Sequence, residues 1–136
     1  MNVDLSVVVT CYNYKQYISE CILSCINQNT DFNYEIIVID DGSTDGSQEI
    51  IKSFSDEILF FPKENSGVEC SSNFGIKKSN GKFITRLDAD DFYNENFIQK
   101  SLEKIISNDL DDFAFTYSNY SAIDEDSNTL WESDLP

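Results

Sequence analysis

The sequence lacks histidine and contains little proline and glycine. Its 136 residues include no histidine, two prolines and five glycines. The absence of histidine excludes Ser-His-Asp and Cys-His catalytic arrangements and the usual mixed zinc sites. With 40% hydrophobic and 13% aromatic residues, the chain is neither collagen-like nor of low complexity. Length and composition therefore predict a single folded domain over residues 1–136.

Positive charge is also scarce. Nine Lys and Arg residues oppose 25 Asp and Glu residues, which gives a net charge of −16. Such a field repels phosphate backbones and anionic lipid headgroups, so nucleic acid is excluded as an expected partner. A divalent cation can still join an acidic protein to an anionic ligand, because the ion inverts the local electrostatics.

Several sequence signals of location and cofactor binding are missing as well. No apolar run approaches the roughly 20 residues that span a bilayer, and no signal peptide or GxxxxGK[ST] phosphate loop occurs. We therefore expect a cytoplasmic chain without a transmembrane segment, which would meet a membrane only through other parts of a longer protein. The cysteines have no CxxC spacing and are predicted to be buried free thiols; they are Cys11, Cys21, Cys25 and Cys70.

Strand-like and helix-like segments alternate along the chain. Apolar, β-branched runs predict strands at residues 5–10, 34–40, 58–61 and 82–87. Helical spacing and turn residues predict helices at residues 14–28, after the turn at 41–46 to about Phe54, after the turn at 65–67 to near Gly81, and from Phe97 onward. This order predicts an α/β fold with a mainly parallel sheet and helices on both faces.

Finer features of these elements can also be predicted. The first helix is expected to bury one face, formed by Tyr14, Ile18, Cys21, Ile22 and Cys25. Asp45 and Gln48 are spaced as a capping pair for the second helix. Residues 108–136 form an acidic segment, expected to be a hairpin or only partly ordered, with strands at 113–120 and 129–131 around a turn at 124–128.

Ligands of open α/β sheets bind at the carboxyl ends of the strands. This rule selects residues 10–13, 40–45 and 88–91. In the last of these, Asp88 and Asp90 offer carboxylates to a hard cation such as Mg²⁺ or Mn²⁺. Two further Asp-x-Asp triplets, Asp109-Leu110-Asp111 and Asp124-Glu125-Asp126, lie away from this edge. Metal binding is therefore favoured at Asp88 and Asp90 over a merely solvated acidic loop.

The other strand ends carry groups suited to a nucleotide. Asp40 and Asp41 can serve a turn and a helix cap, or one of them can accept hydrogen bonds from a base or ribose. Tyr12 offers a stacking face and Asn13 an amide to a base, although both can also serve ordinary loop packing. These alternatives stay open on the residues alone.

Four motifs together resemble the family 2 glycosyltransferases. Their order and spacing match over residues 4–107, and they are Ser6–Asn13, Val38–Asp45, Asn65-Ser66-Gly67 with Asn73-Phe74-Gly75, and Leu87–Asp91. The resemblance implies a Rossmann-like GT-A fold, a nucleotide-diphospho-sugar donor, with UDP favoured, and Mn²⁺ or Mg²⁺. It further implies transfer with inversion to a carbohydrate or lipid-linked acceptor in glycan or polysaccharide synthesis.

The resemblance also implies roles for single residues. Thr10 and Tyr12 would line the base pocket, Asp41 would contact the base, Asp88 the ribose or the metal, and Asp90 the metal. The sequence departs from the family at Cys11, where proline is common, and at Ser72, where arginine is common. No residue matches the family's catalytic base, so we expect the donor-binding part of a longer enzyme, which would bind donor without turnover on its own.

Two other classes of protein place acidic residues at strand ends. A receiver-like or regulatory α/β module would bind metal but not a nucleotide sugar; it needs a late lysine, and neither Lys nor Arg follows Lys104. A phosphatase with an Asp-x-Asp nucleophile carries the motif after its first strand, whereas Asp88 follows the fourth predicted strand. Metal-dependent nucleotide binding distinguishes these alternatives from the glycosyltransferase.

Overall fold

The structure is a computed structural model that describes residues 2–107 and 116–135. It divides into two compact units, residues 1–99 and 100–136. The strands of the first unit are β1 (Leu5–Cys11), β2 (Tyr34–Asp40), β3 (Leu59–Pro62) and β4 (Phe83–Asp88). Its helices are α1 (Ile18–Ile26), α2 (Ser47–Lys52) and α3 (Val68–Lys78), and α4 (Phe97–Ser107) leads on into the second unit.

The four strands form one parallel sheet in the order β3-β2-β1-β4. The chain moves outward from β1 through β2 to β3 and then returns to place β4 on the other side of β1. Because such crossovers are right-handed, α1 and α2 cover one face of the sheet and α3 covers the other. The predicted α/β fold with a parallel sheet and helices on both faces is confirmed.

The core of the first unit is built around β1. Every residue of β1 is buried, as are Ile36–Asp40 of β2, which explains why these strands read as continuous apolar runs in the sequence. Helix α1 buries the predicted face with Ile18, Cys21, Ile22 and Cys25. The expectation for Tyr14 was wrong, since it precedes the helix and is exposed.

Three local predictions were wrong in detail. Asp45 and Gln48 do not form a capping pair, because Gly46 is the N-cap of α2 without a side-chain hydrogen bond and the Gln48 amide donates to Asp40 instead. The third strand extends past the predicted end at residue 61 and includes Pro62, which an edge strand tolerates. Cys70 is exposed, whereas the other three cysteines are buried as predicted.

The second unit contains an antiparallel hairpin of β5 (Ser121–Ile123) and β6 (Thr129–Glu132). The Asp124 carboxylate accepts hydrogen bonds from the amides of Asp126 and Asn128, so the predicted turn is present. The first strand of the hairpin lies later than the predicted 113–120, of which 113–115 fall outside the described residues, as does the triplet at 109–111. Within 2–107 and 116–135, no helix has the length and apolar character needed to span a bilayer.

Gly75 is the point where α3 lies closest to the sheet. A Cβ at residue 75 would lie 2.4 Å from Cγ1 of Val8 and 3.3 Å from Cγ1 of Ile39. Backbone packing at this distance fixes the height of α3 above β1 and β2, and with it the position of the loop that precedes α3.

We predict that Gly75→Ala lowers the free energy of unfolding by about 1–3 kcal/mol because of overpacking, although alanine has the higher helix propensity. Lys77→Ala, on the exposed side of the same helix, is the control and should be close to neutral. Urea denaturation of both variants measures the difference. A Gly75→Ala chain as stable as the wild type would contradict the close approach of α3.

Candidate functional site

Thr10 and Asp88 meet at the carboxyl edge of the sheet. They are register partners in β1 and β4, and the Thr10 hydroxyl donates to Oδ1 of Asp88 at 3.4 Å. The backbone then turns, because the Asp91 amide donates to the Asp88 carbonyl, and the Cys21 thiol donates to the same carbonyl. The topology thus brings together two of the residues predicted for the nucleotide.

Asp40 anchors the turn after β2. Its side chain is fully buried, and Oδ2 accepts hydrogen bonds from the amides of Gly42 and Ser43 and from the Gln48 side chain at 2.7–3.2 Å. Oδ1 has no hydrogen-bond partner among the residues that the structure describes. The turn role weighed for this pair of aspartates therefore belongs to Asp40, and Asp41 is left for another role.

Asp41 faces the loop between β3 and α3. Its side chain is 5% exposed and forms an ion pair with Lys63, and its carboxylate also accepts hydrogen bonds from the amides of Ser66 and Gly67, both at 2.9 Å. Burial alone would raise the pKa of the Asp41 carboxyl, but the hydrogen bonds from Lys63, Ser66, Ser71 and Gly67 lower that pKa below its usual value. Asp41 is an ionised group that holds this loop in place.

Tyr12 and Asn13 follow β1 at the same edge. Asn13 adopts a left-handed backbone with φ of 57°. Its amide oxygen accepts from the Thr44 N–H, and its own N–H donates to the Ser43 hydroxyl. Asn13 therefore ties the loop after β1 to the turn after β2. Tyr12 is 48% exposed, so its ring is accessible for stacking.

The Asp88–Asp91 segment concentrates negative charge. Asp90 is exposed, and its charge, followed by burial, raises the pKa of the nearby Tyr14 hydroxyl. Burial and the charges of Asp90 and Asp88 raise the pKa of the Asp91 carboxyl, against the opposing effect of Arg86. Repulsion between these carboxylates is the electrostatic condition under which a cation binds well.

The residues at this edge fit a divalent cation that a ligand helps to hold. Within the described part of the chain, no group of three or more His, Cys, Asp or Glu residues could hold a metal ion. Mg²⁺ is commonly bound by one or two carboxylates and completed by substrate phosphates. Asp88 and Asp90 supply that number of carboxylates, so the donor set suits an ion bound together with a phosphate ligand.

Two cationic residues of the site were missed from the sequence. Lys63 follows β3 directly and donates to Asp41, to the Glu64 carbonyl and to the Ser66 hydroxyl. Arg86 lies two residues before Asp88, and its guanidinium contacts both Asp88 and Ser72. Their positions in the sequence could have indicated them, because Lys63 comes just after a predicted strand and Arg86 lies near the end of another.

Comparison with known proteins identifies the family. The sequence profile described as Glycosyl transferase family 2 matches residues 6–132. The chain belongs to glycosyl transferase family 2. Membership in this family disfavours the receiver-like and phosphatase alternatives, and the sheet order β3-β2-β1-β4 also differs from the 2-1-3-4-5 order of receiver-like folds.

The curated relatives that this chain matches are longer than the chain itself. An uncharacterized glycosyltransferase from Haemophilus influenzae is 39% identical over 135 residues, which cover 96% of this chain and 52% of that protein. Glycosyltransferase GlyA from Streptococcus pneumoniae is 35% identical over 124 residues, which cover 89% of this chain and 17% of that protein. The chain thus spans about half of the first relative and a smaller part of the second.

Solved structures support the GT-A fold expected of this family. S. aureus TarS 1–349 in complex with UDP-GlcNAc matches with a TM-score of 0.69 at 28% identity, covering 77% of this chain and 32% of that chain. Mannosyltransferase PcManGT from Pyrobaculum calidifontis, in complex with GDP-Man and Mn²⁺, matches with a TM-score of 0.66 at 19% identity, covering 77% and 33%. At that identity the second likeness concerns the fold only.

We predict that Asp40→Ala lowers the free energy of unfolding by roughly 2–4 kcal/mol, because three donors lose a buried acceptor. Asp40→Asn retains an acceptor oxygen for these donors and is expected to cost less. Thermal and urea unfolding provide the measurement. Equal losses in the two variants would show that the hydrogen bonds to Oδ2 do not anchor the turn.

Removal of the Lys63 ammonium should make stability depend differently on pH. Lys63→Met is expected to lower the free energy of unfolding at pH 7 by roughly 1–3 kcal/mol, because the Asp41 carboxylate stays buried without its cation. The lowered pKa of Asp41 in the folded chain contributes stability that is present at neutral pH and lost on acidification. The free energies of unfolding of wild type and Lys63→Met should therefore converge below about pH 4.

The measurement is urea denaturation from pH 7 to acid, with Lys52→Met as the control. Lys52 is an exposed lysine in the last turn of α2, so its removal changes the net charge equally without touching Asp41. A difference in the free energy of unfolding between wild type and Lys63→Met that is the same at every pH would contradict the ion pair of Lys63 with Asp41.

Proposed function

We propose that this chain is the donor-binding part of an inverting glycosyltransferase, which transfers sugar from a nucleotide-diphospho-sugar to an acceptor hydroxyl. The observation that carries the proposal is the contact between Thr10 and Asp88 at the carboxyl edge of a parallel sheet, two residues before Asp90. Ligands of such sheets bind where the strand order reverses, and β1 and β4 flank that point in this fold.

The nucleotide would lie over the ends of β1 and β2. Tyr12 would stack on the base, Thr10 and Asn13 would line its pocket, Asp41 would face its polar edge, and Asp88 would reach the ribose. UDP is the favoured nucleotide, since the TarS structures at 28% and 26% identity contain UDP-GlcNAc and UDP. A sugar attached to the diphosphate would then extend toward Asp90.

Asp90, with Asp88, would hold Mn²⁺ or Mg²⁺ against the diphosphate. A cation there stabilises the negative charge that develops on the leaving diphosphate. The two carboxylates would position the cation, and the exposed side chain of Asp90 can reach an ion shared with the ligand. The same arrangement reconciles a net charge of −16 with an anionic donor.

The acceptor side of the reaction is assigned to the rest of a longer protein. Inversion requires a general base that removes the proton of the acceptor hydroxyl, and no residue of this chain is assigned to it. We propose a carbohydrate or lipid-linked acceptor, a role in glycan or polysaccharide synthesis, and a cytoplasmic site of action with membrane contact through other segments.

Calorimetric titration with UDP, GDP and dTDP, each with and without Mn²⁺, tests the proposal. We expect Mn²⁺-dependent binding of one nucleotide, UDP first, and a loss of affinity of at least about tenfold in Asp90→Asn, as expected when a charged ligand to the ion is lost. Asp56→Asn is the matched control, because it removes the same charge from an exposed turn before β3.

Two results would contradict the proposal. One is the absence of nucleotide binding by a chain that circular dichroism shows to be folded. The other is an equal loss of affinity in Asp90→Asn and Asp56→Asn, which would reflect net charge rather than a metal site at the carboxyl edge.

A further inference from the structure

Arg86 is the only arginine in the sequence, and it lies at the end of β4 beside the proposed donor site. Side chains alternate between the two faces along a strand, so Arg86 shares a face with Asp88, two residues on. The contact of Arg86 with Ser72 of α3 shows that this is the face covered by α3. The lone guanidinium of an acidic chain is thus placed where the anionic donor is proposed to bind.

The contacts of Arg86 hold its guanidinium at the carboxyl edge. Nη2 donates to Oδ2 of Asp88 at 3.1 Å, and Nη1 donates to the Ser72 hydroxyl at 3.3 Å. The Arg86 and Asp88 side chains are 44% and 43% exposed. An ion pair this exposed contributes little to stability, so the ion pair by itself does not account for an arginine at this position.

The chemistry of the guanidinium suits a phosphate. The contacts described above use two of its five N–H groups, and arginine binds phosphate oxygens through parallel hydrogen bonds. Lys63, the other cation found at this edge, already donates to Asp41, Glu64 and Ser66, which matches the three donors of an ammonium group. Arg86 is therefore the better placed cation for a ligand.

The contact with Ser72 is a second structural reason to expect that Arg86 meets a ligand. Arg86 reaches across from the edge strand to the second turn of α3, so its head group bridges the sheet and the helix that border the proposed pocket. The tether to Asp88 limits the freedom of a long side chain, which lowers the entropic cost of holding a ligand.

We propose that Arg86 binds the phosphate groups of the nucleotide diphosphate directly, beside the ion held by Asp88 and Asp90. This inference rests on the proposed function and adds a donor-binding residue to it. The carboxylates then recognise the donor through the ion, whereas Arg86 recognises its phosphates without one.

The test compares UDP with uridine in the wild type, Arg86→Gln and Lys82→Gln, all with Mn²⁺. Lys82 precedes β4 at its amino end and lies over the Phe83 ring, so both variants lose one positive charge of the chain but only one loses it at the site. Calorimetry measures UDP, NMR shift titration measures uridine, and thermal unfolding monitors the fold.

We expect Arg86→Gln to weaken UDP binding by roughly 10- to 100-fold, as for the loss of a charged hydrogen bond. Uridine binding should remain unchanged in that variant, and Lys82→Gln should behave like the wild type toward both ligands. Arg86→Lys should recover part of the loss, because a point charge replaces the planar fork. Mn²⁺ affinity, from water-proton relaxation, should not fall in Arg86→Gln.

Three results would overturn the inference while leaving the proposed function intact. They are unchanged UDP binding by Arg86→Gln, an equal loss for UDP and uridine, and a fall in Mn²⁺ affinity that accounts for the weaker UDP binding. A folded wild-type chain that binds no nucleotide would instead contradict the proposed function, and with it this inference.

Discussion

Parallel pairing of β1 with β2 on one side and β4 on the other is the interaction on which the rest of the first unit depends. All seven residues of β1 are buried, and their register places Thr10 opposite both Ile39 and Asp88. Because the strands run in the same direction, every loop that carries a polar group of the site leaves the sheet at one edge. The apolar core thus determines where the acidic residues converge.

The carboxylates at that edge fall into a buried group and an exposed group. Asp40 and Asp41 are buried, and their carboxylates accept hydrogen bonds from loop amides and, for Asp41, from Lys63, so they shape the loops that would surround a nucleotide. Asp90 and Asp91 are exposed and repel one another. Asp88 stands between these groups, with Thr10 and Arg86 as partners. In the proposed function, Asp88 and Asp90 hold a cation and the Arg86 guanidinium binds an anion.

The apolar strand runs were enough to predict the parallel α/β fold and the strand ends at which the candidate site lies, because buried parallel strands leave a clear apolar signature. It could not predict the interactions that depend on the approach of distant segments. The Asp41–Lys63 pair joins residues from β2 and β3 loops, and Gln48 turns to Asp40 rather than capping α2. Cys70 was predicted to be buried but lies on the exposed side of α3, because the sequence did not show which side of that helix faces the sheet.

Paramagnetic broadening by Mn²⁺ in the presence of UDP tests the central claim most directly, since relaxation by this ion falls steeply with distance. The account predicts that amide signals of residues 10–13 and 88–91 broaden in the ternary complex, and that broadening is much weaker without UDP. It also predicts that signals at the opposite edge, such as those of residues 81–83, persist. Broadening centred on the acidic turn at residues 124–128, or broadening independent of UDP, would contradict a donor site at the carboxyl edge of the sheet.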